Sequence, residues 1–460
     1  MQEISAIILA AGKGTRMNSP LPKVLHPVAG LPMISYVLSA IRSLEPKECR
    51  VVVGHAKNLV QSVVEPLGAS CYVQEKQLGT GHAVQMAQPS SMQGHILIVN
   101  GDHPLLQAAD LQSFVEQFEK QEADVAVLSA EMEEPGAFGR IIRHNGDFRA
   151  IVEARHAGKE TLEIKEVNTG IYLIRSGLLE DLTSAIEMNA EKEEFYLTDI
   201  VDIANEKDYK VLAIPAKNPR VAFGVNTQEE LAQASKSIFQ AKVKTLMQEG
   251  VVVIDPESTY VEPTVRIGPG SVLYPGTFIK GLTTIGHSCV LEPNVFIKNT
   301  DIADACQIRA GSYLEDCSIS EKAMIGPYAR LRPETKIGKD AKVGNFVEMK
   351  KVNFGEGSKA SHLTYLGDAD IGKNVNVGCG TITCNYAANR KKYKTIIKDG
   401  VFVGSDTQFV APVTIGEDAV IGSGSTITKD VPDRALAVAR GKQFIKEDYI
   451  AKDEDECAES

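Results

Sequence analysis

Apolar residues along the chain follow two different rhythms, and the change comes near residue 250. Up to about residue 227, continuous apolar runs at 6–9, 50–53, 96–99, 125–128, 170–174 and 211–214 alternate with amphipathic stretches. In the stretch 33–44, Ile34, Val37, Leu38 and Ile41 share one helical face. Runs without polar interruption fit strands covered on both faces, and strand–helix alternation predicts an α/β unit around a mostly parallel sheet. Such sheets take ligands at the carboxyl ends of their strands, where Gly12 and Asp102 fall. Residues 227–250 read as a helical arm: Leu231, Ala234, Ile238, Ala241 and Thr245 share a face, and Gly250 supplies a stop.

Beyond Val251 the apolar positions recur every six residues, as Ile267, Leu273, Ile279, Ile285, Leu291 and Ile297. A five-residue step leads to Ile302, Ile308 and Leu314, and another to Ile319, Ile325, Leu331, Ile337, Val343 and Met349. The register returns in Ile371, Val377 and Thr383, then in Ile397, Val403, Phe409, Ile415, Ile421 and Ile427. Gly or another small residue usually follows the aliphatic, and Ser, Thr, Val, Ala or Cys sits four places on. A period of six predicts three short faces per coil, each with one aliphatic residue stacked inward: a parallel β-helix. Residues 356–370 and 385–394 break the period and read as loops leaving the solenoid, where binding sites are often built.

Composition narrows the function classes. The 460 residues carry a net charge of −11, against a nucleic-acid binder held by phosphate contacts. No apolar run approaches the roughly 20 residues a bilayer requires, so no membrane partner is expected. The run 6–11 is short, lacks a basic lead-in and continues into Gly12-Lys13-Gly14, so it predicts a strand feeding a loop and not a secretory signal. The eight cysteines form no C-x-x-C and no zinc spacing, and read as free thiols of a reducing, cytoplasmic compartment.

The first candidate site is Leu9-Ala10-Ala11-Gly12-Lys13-Gly14-Thr15-Arg16-Met17 with Pro22-Lys23 downstream. Gly12 and Gly14 let backbone N–H groups approach a polyphosphate, while Lys13, Arg16 and Lys23 supply positive charge. A dinucleotide fingerprint would need glycine at Met17, and the P-loop pattern is absent. On spacing alone, a tight strand-to-helix turn with solvated basic residues is the competing reading. Asp102, seen alone, fits a turn or helix cap as well as a metal ligand. His362, in Ser361-His362-Leu363-Thr364-Tyr365-Leu366-Gly367-Asp368, falls on the first interruption, and imidazole suits the removal of a proton from an attacking amine. A lone loop histidine is otherwise a solvated residue. The basic run 390–394 is too short to indicate nucleic acid.

The Leu-x-x-Gly-x-Gly-Thr-Arg-Met motif with Pro-Lys, followed by hexapeptide repeats, resembles the bacterial bifunctional N-acetylglucosamine-1-phosphate uridylyltransferase / glucosamine-1-phosphate N-acetyltransferase family from Ile4 to about Lys446. The resemblance implies an α/β Rossmann-like nucleotidyltransferase domain at 1–227, a helical linker at 228–250 and a left-handed parallel β-helix at 251–446. An acidic tail at 447–460 is expected to be disordered.

It also implies residue roles. Leu9, Ala10, Ala11, Gly12, Gln74, Gly79 and Thr80 would hold the uridine of UTP, and Arg16 and Lys23 its phosphates. Asp102 and Asn226 would bind Mg²⁺, and Gly139, Glu153 and Asn168 the N-acetylglucosamine of N-acetylglucosamine-1-phosphate. Where the family commonly has Tyr-Gly-Asp, this chain has Asn100-Gly101-Asp102. His362 would be the proton acceptor with Glu348 and Asn385 beside it. Arg332, Lys350, Tyr365, Asn376 and Lys392 would bind glucosamine-1-phosphate. Cys379, Asn385, Tyr386, Ser405, Ser423 and Arg440 would line the acetyl-CoA site, with Cys379 where the family usually has Ala. The loop after Asn385-Tyr386 is one residue longer than the family pattern and reads Ala-Ala for Asp-Gly, leaving Lys391 and Lys392 both open as the phosphate contact. The implied protein is a cytoplasmic homotrimer. The alternatives are a monofunctional nucleotidyltransferase with a regulatory β-helix, or a non-catalytic assembly subunit of the same architecture.

Overall fold

The computed structural model describes residues 3–189, 193–447 and 449. The expected acidic tail lies outside these residues, apart from Glu447 and Tyr449. The chain divides into two compact units between Phe239 and Gln240.

In the first unit the strands order across one sheet as Val211–Pro215, Val125–Glu131, Glu166–Ile174, His95–Asn100, Ile4–Ala10, Cys49–Val53 and Ser70–Val73. Four of the neighbouring pairs are parallel, and Glu166–Ile174 runs antiparallel to both its neighbours. The hairpin Arg140–His144 and Asp147–Val152, which the periodicity did not predict, joins the sheet through Val167. Alternate residues of each apolar run enter different cores. Ala6 and Ile8 pack with Val51, Val53, Leu97 and Val99 on one face, while Ile7 packs with Val52, Ile96 and Ile98 on the other. That two-sided burial is why these strands read as unbroken apolar runs. The helix Met33–Arg42 buries Ile34, Val37, Leu38 and Ile41 in the first of these cores.

The helix Gln228–Gln248 fills the expected arm, and the division between the units falls inside it. Its first half belongs to the first unit for a packing reason. Ala234 is buried there with Met17, Val28, Met33 and Val225, and Leu231 and Ile238 pack against them. Glu230 accepts from the backbone N–H of Asn226 and Thr227, and Gln228 donates to Met17 O at 3.0 Å. A fragment ending at 227 loses these contacts, on the order of 3 kcal/mol for about two apolar side chains. Its melting temperature is expected roughly 6–12 °C below that of a fragment ending at 239. Equal melting temperatures in calorimetry would place the boundary at 227 after all.

The second unit is a three-sided parallel β-helix whose 26 strands among the described residues, most of two or three residues, follow the chain in order. Equivalent residues on successive coils pair 17 or 18 residues apart, as Ile267 with Ile285, Ile302, Ile319 and Ile337. Every aliphatic of the six-residue period is buried, and so are the small residues four places on, among them Ser271, Thr277, Thr283 and Cys289. The buried hydroxyls are satisfied locally: Ser271 Oγ donates to Gly286 O and Thr283 Oγ1 to Lys280 O.

One expected interruption is not a loop. The strands Lys342–Phe354 and Lys359–Ile371 pair along their length, and Phe354, Ala360 and Leu366 take the inward places that the pattern seemed to lose between Met349 and Ile371. Phe354 arrives after a five-residue step, and Ala360 is too small to register as a core position, so the coil continues where the sequence looked broken. His362 therefore stands on a strand. The second interruption is real: Ala369 pairs with Thr395, 26 residues on, so the segment between Cys384 and Thr395 leaves the coil. It folds back on itself through Tyr386 and Lys392.

Candidate active sites

In the first unit, the strand Ile4–Ala10 delivers its carboxyl end to a cavity of about 310 Å³. Leu9, Ala10, Ala11, Gly12, Lys23, Gln74, Gly79, Thr80 and Asp102, residues that the resemblance assigned to the nucleotide site, all line it. A Cβ on Gly12 would meet nothing within 4 Å, so the backbone there lies open. Gly14 has a different task. Its φ is +63°, and a Cβ would sit 2.6 Å from Lys23 Cβ, so glycine lets Lys23 come in. Gly79, at φ +99°, would place a Cβ 2.5 Å from Phe195 O. That approach brings Glu194 and Tyr196 into the cavity wall beside Gln77 and Asn100. Sequence reasoning missed those lining residues, and Val24 and Ala83 with them; Glu194 and Tyr196 arrive through a long-range backbone approach that carries no motif.

Lys23 is the hinge of the charges. Its Nζ donates to Asp102 Oδ2 and, at 2.7 Å, to Asn226 Oδ1, which also accepts from Arg16 at 2.8 Å. Four of the predicted residues from three distant stretches thus meet at one point. Burial pushes the Asp102 carboxyl up, but the Lys23 ammonium and His103 outweigh it and hold the group below the ordinary carboxylate range. Asp102 Oδ1 has no hydrogen-bond partner and is buried. Gly139, Glu153 and Asn168 meet separately from the cavity: Asn168 N donates to Gly139 O at 2.8 Å, and a Cβ on Gly139 would lie 3.7 Å from Glu153 Oε1.

In the second unit, register places the predicted residues in columns. Val343, Ala360, Val377, Val403 and Ile421 are partners on successive coils. Two residues beyond each stand Asn345, His362, Cys379, Ser405 and Ser423, in one row along a corner of the β-helix. Arg440 donates to Ser423 O at 2.8 Å at the end of this row, and exposed Asn376 lies three residues before Cys379. Around the corner, Leu331, Met349 and Leu366 are successive inward residues, so Arg332, Lys350 and Gly367 form a second row, flanked by Glu348 and Tyr365. Arg332 donates to Glu348 Oε1 at 2.7 Å. A Cβ on Gly367 would lie 2.5 Å from the Tyr365 hydroxyl and 2.8 Å from Asn385 Nδ2, so glycine is what lets those two groups converge.

The neighbours expected beside His362 are not its partners within the chain. Glu348 pairs with Arg332, and Asn385 donates to Asp368 Oδ2 at 2.5 Å. His362 Nδ1 instead meets Asn345 Oδ1 at 2.7 Å. Tyr386 is exposed on the excursion, and Lys392 lines a cleft of about 570 Å³ with Lys336, Lys351, Tyr393 and Lys394. Glu334, Asn353 and Asp368 line the same cleft, and Lys391 is not among its lining residues.

Residues 6–188 match the MobA-like NTP transferase domain, 254–354 the GMPPB C-terminal domain, and 394–429 the bacterial transferase hexapeptide as six repeats. A protein of Bdellovibrio bacteriovorus named Bifunctional protein GlmU is 59% identical over 449 residues, 98% of this chain and 98% of that one. Proteins of the same name are 45% identical in Pelobacter propionicus, over 98% of each chain, and 44% in Geotalea uraniireducens, over 98% of this chain and all of that one. With likeness at this level across nearly the whole chain, the protein belongs to the bifunctional GlmU family of N-acetylglucosamine-1-phosphate uridylyltransferases / glucosamine-1-phosphate N-acetyltransferases.

Proposed function

We propose that the chain makes UDP-N-acetylglucosamine in two steps, one in each unit. The observation that carries this reading is that one chain holds both a cavity closed by Lys23, Asp102 and Asn226 and a β-helix row running from His362 to Ser423.

In the β-helix the amine of glucosamine-1-phosphate attacks the thioester carbonyl of acetyl-CoA. His362 accepts the proton lost by the amine, and the CoA thiolate leaves and is protonated. The row Cys379, Ser405, Ser423 and Arg440 would carry the CoA arm toward His362. Arg332, Lys350, Tyr365, Asn376 and Lys392 would hold the sugar phosphate. In the first unit a phosphate oxygen of N-acetylglucosamine-1-phosphate attacks the α-phosphorus of UTP and pyrophosphate leaves. Such transfer needs charge neutralisation and in-line positioning more than acid–base groups, which fits a site where Lys23 and Arg16 converge.

The donor set fits Mg²⁺, which takes hard oxygen ligands from one or two carboxylates and from phosphates. Asp102 would hold it through the oxygen that lacks a hydrogen bond, and Asn226 through its amide oxygen. When bound, Mg²⁺ supplies charge that the phosphates of UTP need neutralised. Lys23 and Arg16 would then turn to the phosphates. Among the described residues no helix is long and apolar enough to cross a membrane. We read the protein as cytoplasmic and the β-helix as the core of a homotrimer.

The test is to incubate the purified protein with acetyl-CoA and glucosamine-1-phosphate, then add UTP and Mg²⁺. Free thiol is expected first, and pyrophosphate with the nucleotide sugar only after UTP. Thiol release without nucleotide sugar would leave a monofunctional acetyltransferase; no thiol release, but pyrophosphate release when N-acetylglucosamine-1-phosphate is supplied directly with UTP, would leave a monofunctional nucleotidyltransferase.

A further inference from the structure

We propose that Asn345 is a positioning residue for acetyl transfer: its carboxamide oxygen fixes His362 as the tautomer that carries its proton on Nδ1 and leaves Nε2 free to accept one. The inference rests on His362 being the base.

The contact is short, 2.7 Å from His362 Nδ1 to Asn345 Oδ1, and the two residues are direct register partners on neighbouring coils. An amide oxygen can only accept, so the hydrogen bond requires a proton on Nδ1. In a neutral imidazole that leaves the lone pair on Nε2, the ring nitrogen on the far side from Asn345. The opposite tautomer would put a proton where the substrate amine must deliver one.

The backbone holds the pair together. A Cβ on Gly344 would stand 1.9 Å from Ser361 O, so only glycine lets the two coils approach this closely just before Asn345 and His362. Thr364 Oγ1 donates to the carbonyl of His362 at 2.7 Å and ties down the residue from its other side. The partner is a neutral amide, not a carboxylate. A carboxylate at the same place would orient the ring but also hold its positive form.

The chemistry predicts a pattern that a merely structural residue would not give. Asn345→Ala should lower kcat for acetyl transfer about 10-fold or more, the scale of a lost orienting partner, with KM for both substrates little changed. Asn345→Asp, nearly the same shape, should keep the ring oriented but move the acidic limb of the kcat/KM profile up by about one pH unit. Uridylyl transfer should be unchanged in both. The tautomer can be read directly from ¹⁵N-histidine shifts in the unaltered protein, with the His362 signal assigned by its loss in His362→Ala, and Nδ1–H is expected. An Nε2–H tautomer overturns the proposal, and so does an Asn345→Asp profile that does not move. If instead His362→Ala keeps its acetyl transfer, the reading of His362 as base fails, which is a separate result from a failure of Asn345.

Discussion

Asp102→Ala is expected to lower uridylyl transfer by at least about 10²–10³-fold, the scale of one lost transition-state charge contact, while acetyl transfer stays within about twofold because its residues belong to the other unit and share no partner with Asp102. The reason lies in how the carboxylate is placed. One of its oxygens faces the Lys23 ammonium and the other is buried without a hydrogen bond. Removing it leaves Lys23 held by Asn226 and takes away the carboxylate that faces its ammonium. Pyrophosphate release and CoA thiol release, measured on the same preparation, separate the two activities. A folded variant in which both rates drop together would mean that the two chemistries share a site, and the division of labour between the units would fall.

How much of this was legible in the sequence depends on how local the signal is. The apolar strands, the helical arm and the six-residue period repeat along the chain, so they could be read directly; all the inward aliphatics named from the period are buried. The misreadings share a cause. The inward place at 360 is held by Ala, and the step to Phe354 is five residues long, so the coil through 356–370 looked like a loop. The hairpin Arg140–His144 and Asp147–Val152 and the antiparallel strand Glu166–Ile174 depend on pairing partners that no local pattern specifies.

The site residues follow the same rule. Gly12, Lys23 and Asp102 sit in recognisable motifs and do converge. Glu194 and Tyr196 flank Phe195, whose backbone packs on Gly79, and that contact spans more than a hundred residues. Asn345 looked like any polar corner residue of a β-helix. Its meaning comes from the 17-residue offset that sets it against His362. The boundary within the helical arm was set by which core its apolar face enters, and a helical pattern cannot say that.

His362→Ala should do the reverse of the Asp102 substitution, lowering acetyl transfer by roughly 10²–10⁴-fold, as befits the loss of a general base, with uridylyl transfer unchanged. His362 has no other task that the geometry suggests. It is exposed at its corner, it packs in no core, and its side chain touches Asn345. Stability should therefore hold, which makes the rate change readable. The pH dependence gives a sharper check. The substrate amine is protonated near neutral pH and must lose a proton before or during attack. In the parent protein His362 takes it, so the rate should level off once the imidazole is neutral. Without His362 only amine already deprotonated in solution can react, so the residual rate should keep climbing with pH as that fraction grows. His362→Gln keeps a hydrogen-bonding side chain but no basic nitrogen and should behave as the Ala variant does. If either variant kept the parent's plateau, or lost activity only through a higher KM, His362 would be a binding residue and the proton would have to leave by another route.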